Sequence, residues 1–249
     1  MTAAAPTGAE DPTEAPMAAE HDGVLVVLSR SVVADDIVAL ELGSASGRPL
    51  PPWEPGAHVD VLLPNGMVRS YALCGSSEET WSWRIAVLRE SFGRGGSKWV
   101  HEHARVGLEL RFRGPHNGFR LRSARRYLFV GGGIGIAPLL PMLAHVDAKG
   151  ADWALLYTGR NRSAMAFLPE LLCYRERVVV WSQDRYGPPG LAGFLGDPAP
   201  SALVYCSGPE SLTAAVRENC VPWPSDALSV ERFTVLPSGA CSDVVEGDP

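Results

Sequence analysis

The uncharged run from Tyr127 to Ala144 constrains the fold of this chain more than any other segment. Its length approaches that of a membrane-spanning helix. However, four glycines and two prolines interrupt it, and both residue types destabilise the interior of a helix. The run is therefore interpreted as a buried strand, YLFVG, followed by a glycine loop and the start of a helix. No membrane span is expected.

Two different hydrophobic periods divide the chain. From Arg126 onward, apolar strands alternate with helices, which is typical of a doubly wound parallel sheet. The strand candidates are 127–131, 153–159, 177–182, 202–208 and 228–233, and the helix candidates lie near 138–148, 164–174 and 209–219. The part before Leu121 holds short β-rich runs separated by Gly, Pro and Asn. These runs are 24–29, 36–42, 57–63, 68–74, 82–88 and 107–112. Six such strands suggest an antiparallel barrel, with a helical segment at 97–104 across one end.

These patterns predict four parts. They are a disordered N-terminal arm (1–22), a β-barrel domain (23–123), an α/β domain (124–236) and a C-terminal tail (237–249). The arm consists largely of Ala, Pro and acidic residues, which bury too little apolar surface to offset the entropy of ordering them. It also lacks the basic start and apolar stretch of a secretory signal peptide.

The formal charge of −6 belongs to the two ends of the chain. Residues 1–20 and 237–249 hold seven acidic residues and no Lys or Arg, which leaves 22 basic and 21 acidic residues between them. A near-neutral body gives no indication of nucleic-acid binding. The five cysteines are odd in number and widely spaced, so they suit a reducing cytoplasm and predict neither an iron–sulfur cluster nor another metal site.

Two glycine-rich loops each lead into a helix candidate. In the first, Gly131–Pro138, bare backbone and helix N–H groups would suit a pyrophosphate, although a tight strand-to-helix turn would look the same. The second, Phe92–Ser97, is either an anion site with Ser97 as the helix N-cap or a flexible hairpin loop. Two such sites on one chain point to two ligands, a flavin and a nicotinamide nucleotide.

Arg69 and Tyr71 alternate along the fourth strand candidate and therefore share a face. The arginine could hold a phosphate and the tyrosine could stack on a flat ring. An ordinary half-exposed strand would carry the same pair.

Taken together, these motifs resemble those of the ferredoxin-NADP reductase superfamily, in its phthalate dioxygenase reductase and vanillate demethylase reductase branch. The matching segments are RSYA (69–72), IAVLRE (85–90), FGRGGSKWVHE (92–102), GPHNGF (114–119), YLFVGGGIGIAPLLPML (127–143), YTGR (157–160), VYCSGPESL (204–212) and VERF (230–233). The resemblance implies a flavin-binding barrel followed by a nicotinamide-binding α/β domain, in agreement with the division above.

The resemblance also implies the residues of the site. The flavin contacts would be Arg69, Ser70, Tyr71, Ala72, Val87, Leu88, Gly95, Gly96, Ser97 and Phe233. The nicotinamide nucleotide would meet Gly132, Gly133, Gly135, Ile136, Ala137, Arg160, Arg162, Gly208 and Pro209. The catalytic candidates would be Cys206, Ser207 and Glu231. FMN is favoured over FAD because this branch uses the smaller flavin, and the choice between NADH and NADPH stays open.

The sequence departs from the family at three points. Ala72 stands where the family usually has Ser, so only its backbone N–H could serve flavin N5. The family's Cys-Gly-Pro reads Ser207-Gly208-Pro209 here, and Cys206 comes one place earlier. That step reverses the side-chain face on a strand, so Ser207 is expected to take the thiol's role and Cys206 to be buried. Relatives also continue into a ferredoxin domain, which implies that the electron acceptor of this chain is a separate protein or a small molecule.

An arginine cluster lies near the predicted domain junction. Its members are Arg111, Arg113, Arg120, Arg122, Arg125 and Arg126, with little compensating acid in the sequence. The cluster is either a solvated surface or a docking patch for an acidic ferredoxin-type or Rieske-type iron–sulfur protein.

The expected function is a cytoplasmic flavin-dependent NAD(P)H oxidoreductase. It would be the reductase component of a multicomponent oxygenase or demethylase. Two rivals remain: a reductase of free flavin, oxygen or ferric complexes, and a non-catalytic flavoprotein subunit.

Overall fold

The computed structural model describes residues 21–90 and 95–231. The predictions for the N-terminal arm up to residue 20, for the C-terminal tail and for Phe233 lie outside these residues. Within them, an antiparallel sheet is followed by a parallel one, as the change of hydrophobic period predicts.

The first sheet has six antiparallel strands in the order β4-β3-β6-β1-β2-β5. The strands are β1 (Asp22–Ala34), β2 (Ile37–Ser44), β3 (His58–Leu62), β4 (Val68–Ala72), β5 (Ser82–Leu88) and β6 (Glu109–His116). A bridge between Leu73 and Ile85 connects the two outer strands. Alternate side chains face a buried core in which Trp83 meets Phe112 edge to face, with 5.2 Å between ring centroids. The six-stranded barrel is confirmed.

Helix α1 (Gly96–His103) begins one residue earlier than predicted, and Ser97 is not its N-cap. The cap is Gly95, whose φ of 91° lies in the left-handed region that glycine adopts without strain. Ser97 is buried in the first turn, and its hydroxyl accepts the backbone N–H of Glu90 at 3.1 Å. Its side chain therefore ties the helix to the end of β5.

The second sheet has five parallel strands in the order β11-β10-β7-β8-β9. The strands are β7 (Arg126–Gly132), β8 (Asp152–Gly159), β9 (Val178–Ser182), β10 (Ala202–Ser207) and β11 (Leu228–Glu231). The helices are α2 (Leu139–Ala148), α3 (Leu168–Leu171), α4 (Gln183–Tyr186), α5 (Leu191–Leu195) and α6 (Glu210–Asn219). The doubly wound parallel sheet is confirmed.

The helix predicted at 164–174 is wrong. A 3-10 turn at Arg162–Ala164, the four-residue α3 and a 3-10 stretch at Leu172–Arg177 take its place. Phe167 and Arg175 have φ values of 61° and 51°, which no α-helix accommodates. The single turns α4 and α5 were not predicted, because they lie in a Gly- and Pro-rich stretch.

The uncharged run is divided as predicted. It supplies β7, a 3-10 turn at Gly133–Ile136 and then α2. Pro141 falls in the first turn of α2, where a missing N–H costs no hydrogen bond. Among the described residues, no helix is long and apolar enough to cross a membrane.

The two domains share one apolar cluster. Ile37, Ala72 and Ala86 of the barrel lie in the same buried group as Ile136 and Leu143 of the second domain. Polar contacts also cross the junction, and two residue pairs link the barrel to the segment that follows β8. Asp35, in the β1–β2 turn, donates its backbone N–H to the carbonyl of Ser163 at 2.8 Å. Arg84 on β5 binds both carboxylate oxygens of Glu170 on α3, each at 2.9 Å.

Candidate functional site

Arg69 lies against the first turn of α1. A Cβ atom placed on Gly96 would come 2.8 Å from Cζ of Arg69, so only glycine leaves room for the guanidinium there. Arg69 donates to the carbonyl of Val68 at 2.7 Å, and no described carboxylate lies within 4.0 Å of it. A helix N-terminus with an adjoining cation is a site for a phosphate. The structure thus brings Arg69 together with Gly96 of the predicted glycine loop, whose residues 92–94 lie outside the described residues.

Tyr71 follows Arg69 on the same face of β4 and packs against the barrel core. Its hydroxyl is buried and has no hydrogen-bond partner among the described residues. Burial also raises the pKa of this phenol above its ordinary value. A buried hydroxyl of this kind needs a polar partner. A flavin would supply one through its polar side chain, while Arg69 and α1 would hold its phosphate, so the residues present fit that cofactor.

We call Arg69, Tyr71 and the first turn of α1 the flavin cradle. Not every flavin candidate has its side chain turned towards it. The side chain of Ser70 points to the opposite face of β4, where its hydroxyl donates to Asp60. Val87 is buried in the barrel core, and its carbonyl lies 2.9 Å from Nε2 of His101. Ala72 is buried in the cluster shared by the domains, whereas Leu88 is exposed. The prediction that Ser70 and Val87 contact the flavin would therefore have to be met by their backbone atoms.

The glycine loop after β7 lies directly against the turn after β10. A Cβ atom on Gly135 would come 2.6 Å from the backbone nitrogen of Gly208, and one on Gly132 would come 2.8 Å from Cδ of Pro209. Because β7 and β10 are parallel neighbours, both turns lie at the carboxyl edge of the sheet, where ligands of such folds bind. Gly133, with φ of 54°, faces open space.

Two details of the predicted nucleotide loop change. The glycines open a four-residue 3-10 turn rather than an α-helix, and α2 begins three residues after that turn, at Leu139. Ile136 and Ala137 are buried in the shared apolar cluster. The space beside Gly135 is occupied by the backbone of Ser207 and Gly208. Gly133 is the one predicted loop glycine that adjoins open space.

Ser207 and Glu231 form a hydrogen-bonded pair at the ends of β10 and β11. The two residues are opposite each other in the strand register, and the hydroxyl of Ser207 donates to Oε2 of Glu231 at 2.9 Å. Burial raises the pKa of Glu231 to about 7. A carboxyl group with this pKa can gain or lose a proton near neutral pH.

Cys206 is corrected from catalytic candidate to core residue. It is fully buried among apolar side chains that include Val130 and Leu212, and burial raises the pKa of its thiol to about 12. Adjacent residues on a strand point to opposite faces, so Cys206 and Ser207 face different sides of the sheet. The expectation that Cys206 is buried agrees with this geometry.

We expect Glu231→Gln to remove a pH dependence of stability. The folded pKa of Glu231 lies above its ordinary value, so the folded chain holds a proton that the unfolded chain has released between about pH 4.5 and pH 7. The free energy of unfolding should therefore fall by about 1 to 3 kcal/mol as the pH rises through this window. Urea titrations at several pH values test this. Parallel pH curves for the variant and the unchanged chain would contradict it.

Arg160 and Arg162 lie just after β8 and are exposed. The carbonyl of Arg160 accepts the N–H of Asp184 at 2.9 Å, which joins the ends of β8 and β9. Neither guanidinium has a described carboxylate within 4.0 Å. Both remain available to a nucleotide at the same edge of the sheet.

The arginine cluster has more compensating acid than the sequence suggested. Arg122 pairs with Asp226 at 3.4 Å, and Arg126 pairs with Asp152 at 3.5 Å. These acids are distant in sequence, so the local pattern could not show them. All six arginines are exposed, with Arg111 and Arg113 on β6 and the others along or after the connection to β7.

No protein-family model matches the sequence. It is 36% identical over 222 residues to phthalate dioxygenase reductase of Burkholderia cepacia, covering 86% of this chain and 69% of that one. It is 34% identical over 227 residues to vanillate O-demethylase oxidoreductase of Pseudomonas sp. (strain HR199 / DSM 7063), covering 88% and 71%. The chain belongs to this reductase family.

Two solved structures support the same assignment for this reductase. Phthalate dioxygenase reductase, described as a modular structure for electron transfer from pyridine nucleotides to [2Fe-2S], superposes with a TM-score of 0.81 at 35% identity, covering 84% of this chain and 67% of that one. An intact type IV self-sufficient cytochrome P450 monooxygenase gives a TM-score of 0.82 at 41% identity, covering 86% and 28%. The resemblance drawn from the motifs is confirmed.

The reductase corresponds to only part of some relatives. It is 37% identical over 202 residues to phenoxybenzoate dioxygenase subunit beta of Ectopseudomonas oleovorans, covering 80% of this chain and 63% of that one. It spans less than a third of the cytochrome P450 chain. Each match is long enough to extend over both the barrel and the parallel-sheet domain of this chain.

Proposed function

We propose that the reductase passes electrons from NAD(P)H, through bound FMN, to a ferredoxin-type or Rieske-type iron–sulfur protein that serves an oxygenase or demethylase. The observation that carries the proposal is the pair of cradles on one chain. Arg69 with Gly96 suits a flavin phosphate, and the glycine loop against Gly208 suits a nicotinamide nucleotide. The relatives are named for oxygenase and demethylase systems, in support of the proposed acceptor.

Each cradle has a separate task in this proposal. Arg69 and the N–H groups of α1 would neutralise the flavin phosphate, and the Tyr71 hydroxyl would bind the polar chain of the flavin. FAD remains the alternative flavin. The flavin held by these residues would supply the exchange between a two-electron hydride donor and a one-electron acceptor, which is chemistry that the protein side chains lack.

The second cradle would place the nicotinamide nucleotide at the end of the central strands. The contact between Gly135 and Gly208 fixes the floor of this cradle. Ser207 and Glu231 lie beside it and hold a proton on a carboxyl group whose pKa is about 7. We propose that this pair orients the nicotinamide and that Arg160 and Arg162 meet the adenosine end.

Anaerobic mixing tests the proposed function. The purified protein, loaded with FMN, is mixed with NADH and separately with NADPH while flavin absorbance is followed. We expect rapid bleaching with at least one nucleotide and reoxidation by an added iron–sulfur protein. No bleaching with either would refute the proposal and favour a non-catalytic flavoprotein. Turnover with ferric complexes or free flavin that salt does not affect, with no reduction of any iron–sulfur protein, would favour the stand-alone reductase.

The arginine cluster is the docking surface in this proposal. Arg120 and Arg125 are exposed, and the described residues place no carboxylate within 4.0 Å of either. The Tyr205 hydroxyl fixes the backbone between them, since it accepts the N–H of Arg122 at 2.7 Å and donates to the carbonyl of Arg120 at 3.2 Å. A cationic surface on a fixed backbone would steer an acidic partner.

Neutralising Arg120 and Arg125 together to Gln is expected to slow partner reduction by about three- to tenfold at low ionic strength. Flavin reduction by NAD(P)H should stay unchanged, because neither residue lies in a cradle. Stopped-flow rates with a ferredoxin across a salt series measure both steps. Arg48→Gln, an exposed arginine in the β2–β3 loop, is the matched control. Equal partner-reduction rates at low salt would contradict the docking assignment.

A further inference from the structure

Arg84 is a flavin-domain side chain whose strongest contacts belong to the nucleotide domain. Its two terminal nitrogens bind the two carboxylate oxygens of Glu170, each at 2.9 Å. The guanidinium also lies 4.9 Å from the centre of the Phe167 ring. A third bond, 2.8 Å to the carbonyl of Cys74, anchors it to its own domain. A planar fork bound at both ends fixes direction as well as distance.

The barrel has an acidic residue on the strand next to Arg84, but the two do not form an ion pair. Glu41 on β2 is directly opposite Arg84 in the strand register. No carboxylate oxygen of Glu41 lies within 4.0 Å of the side-chain nitrogens of Arg84, whereas Glu170, 86 positions along the chain, takes both bonds. Burial raises the pKa of Glu41, and the positive charge of Arg84 offsets only part of that rise. The guanidinium of Arg84 is thus paired with a carboxylate of the nucleotide domain rather than with one of the barrel.

The segment that Arg84 holds contains the predicted adenosine-binding residues Arg160 and Arg162. It runs from Arg160, at the end of β8, to α3. The barrel holds this segment at two places, near its start through Asp35 and Ser163 and near its end through Arg84 and Glu170. The left-handed Phe167 lies between these two contacts. A shift of the segment would therefore move the nucleotide site relative to the barrel.

We propose that Arg84, acting through Glu170, is a positioning residue that holds the nucleotide domain at the orientation required for transfer from nicotinamide to flavin. This inference rests on the proposed function. Arg84 does not need to touch either cofactor. The contact between Arg84 and Glu170 restricts the rotation of one domain relative to the other. Two parallel hydrogen bonds from the guanidinium fix the angle between the two side chains, whereas a lysine ammonium group would not fix it.

Kinetics separate this role from a merely structural one. Arg84→Lys and Glu170→Gln should each lower the limiting rate of flavin reduction at saturating NAD(P)H by about tenfold, since small misplacements of reacting groups are costly. The Kd values for FMN and nucleotide should change by less than about twofold. The double variant should be no slower than either single one, because both changes break the same contact. Glu210→Gln is the matched control, since it breaks a 3.0 Å ion pair with Arg217 within the nucleotide domain.

A distance measurement keeps the inference independent of activity. Spin labels would be placed at Val106→Cys in the barrel and Val221→Cys in the nucleotide domain, which are 68% and 80% exposed. Cys173 and Cys241 would be changed to Ser in this background. We expect one narrow distance distribution, broadened by Arg84→Lys and unaffected by Glu210→Gln. If the unchanged protein fails to reduce flavin, the proposed function falls while the distances still test the contact. Unaltered distances, or altered distances with unaltered reduction rates, would overturn the positioning role.

Discussion

Gly135→Ala is expected to lower the rate of flavin reduction by NAD(P)H about 100-fold or more, because the reacting groups would no longer meet correctly. The added methyl carbon would lie 2.6 Å from the backbone nitrogen of Gly208 and closer still to the carbonyl of Ser207. Backbone atoms cannot swing aside as a flexible side chain can. Either the loop after β7 or the turn after β10 must move, and both belong to the proposed nucleotide cradle.

The binding of flavin should survive this change, since the barrel cradle lies elsewhere. FMN titration and anaerobic stopped-flow reduction of the same preparation separate the two effects. Gly132→Ala should be milder, because its added carbon meets the side chains of Leu212 and Pro209 rather than backbone. Gly190→Ala is the control, as it has open space around it. A Gly135→Ala protein that binds flavin and reduces it at the unchanged rate would refute the assignment of this cradle.

Arg69→Ala is expected to weaken FMN binding by about 2 kcal/mol, or ~30-fold in Kd, which is typical of a lost charged hydrogen bond. The guanidinium has no described carboxylate to satisfy it, so a phosphate is its natural counter-charge. Gly96→Ala should weaken binding by the same route, because a methyl group would sit 2.8 Å from Cζ of Arg69 and push the guanidinium out of place.

Fluorescence quenching of FMN on titration with flavin-free protein measures these constants. Riboflavin, which lacks the phosphate, should bind the Arg69 variant and the unchanged protein with similar affinity. Arg113→Ala removes an exposed arginine of the same domain and should leave the FMN constant unaltered. An unchanged Kd for FMN in Arg69→Ala would show that the phosphate lies elsewhere.

The architecture could be predicted from the sequence because each strand carries its own pattern. Alternating side chains mark the barrel, and continuous apolar strands mark the parallel sheet. The error at 164–174 has a tertiary cause. The spacing of apolar residues there fits a helix, but the segment packs against the barrel, with Phe167 in a left-handed conformation and Arg84 above its ring. No local pattern contains that contact.

The functional site also combines features that local sequence patterns predict with features that depend on tertiary contacts. The neighbourhood of Arg69 and Gly96 was predictable from motifs, and the burial of Cys206 followed from strand alternation. The raised pKa of Glu231 depends on burial created by the fold, and the partners of Arg84 and Arg122 lie far along the chain. The sequence shows which residues carry charge, but it does not show which acidic residue forms an ion pair with each arginine.

The apolar cluster shared by the two domains limits how freely either can be exchanged. Ile37, Ala72 and Ala86 lie in one buried cluster with Ile136 and Leu143 of the other domain. A hybrid that grafts this barrel onto a relative's nucleotide domain would need matching residues on both sides of the junction. We therefore expect that the barrel and the parallel-sheet domain of this chain can be transferred together more readily than either can be transferred alone.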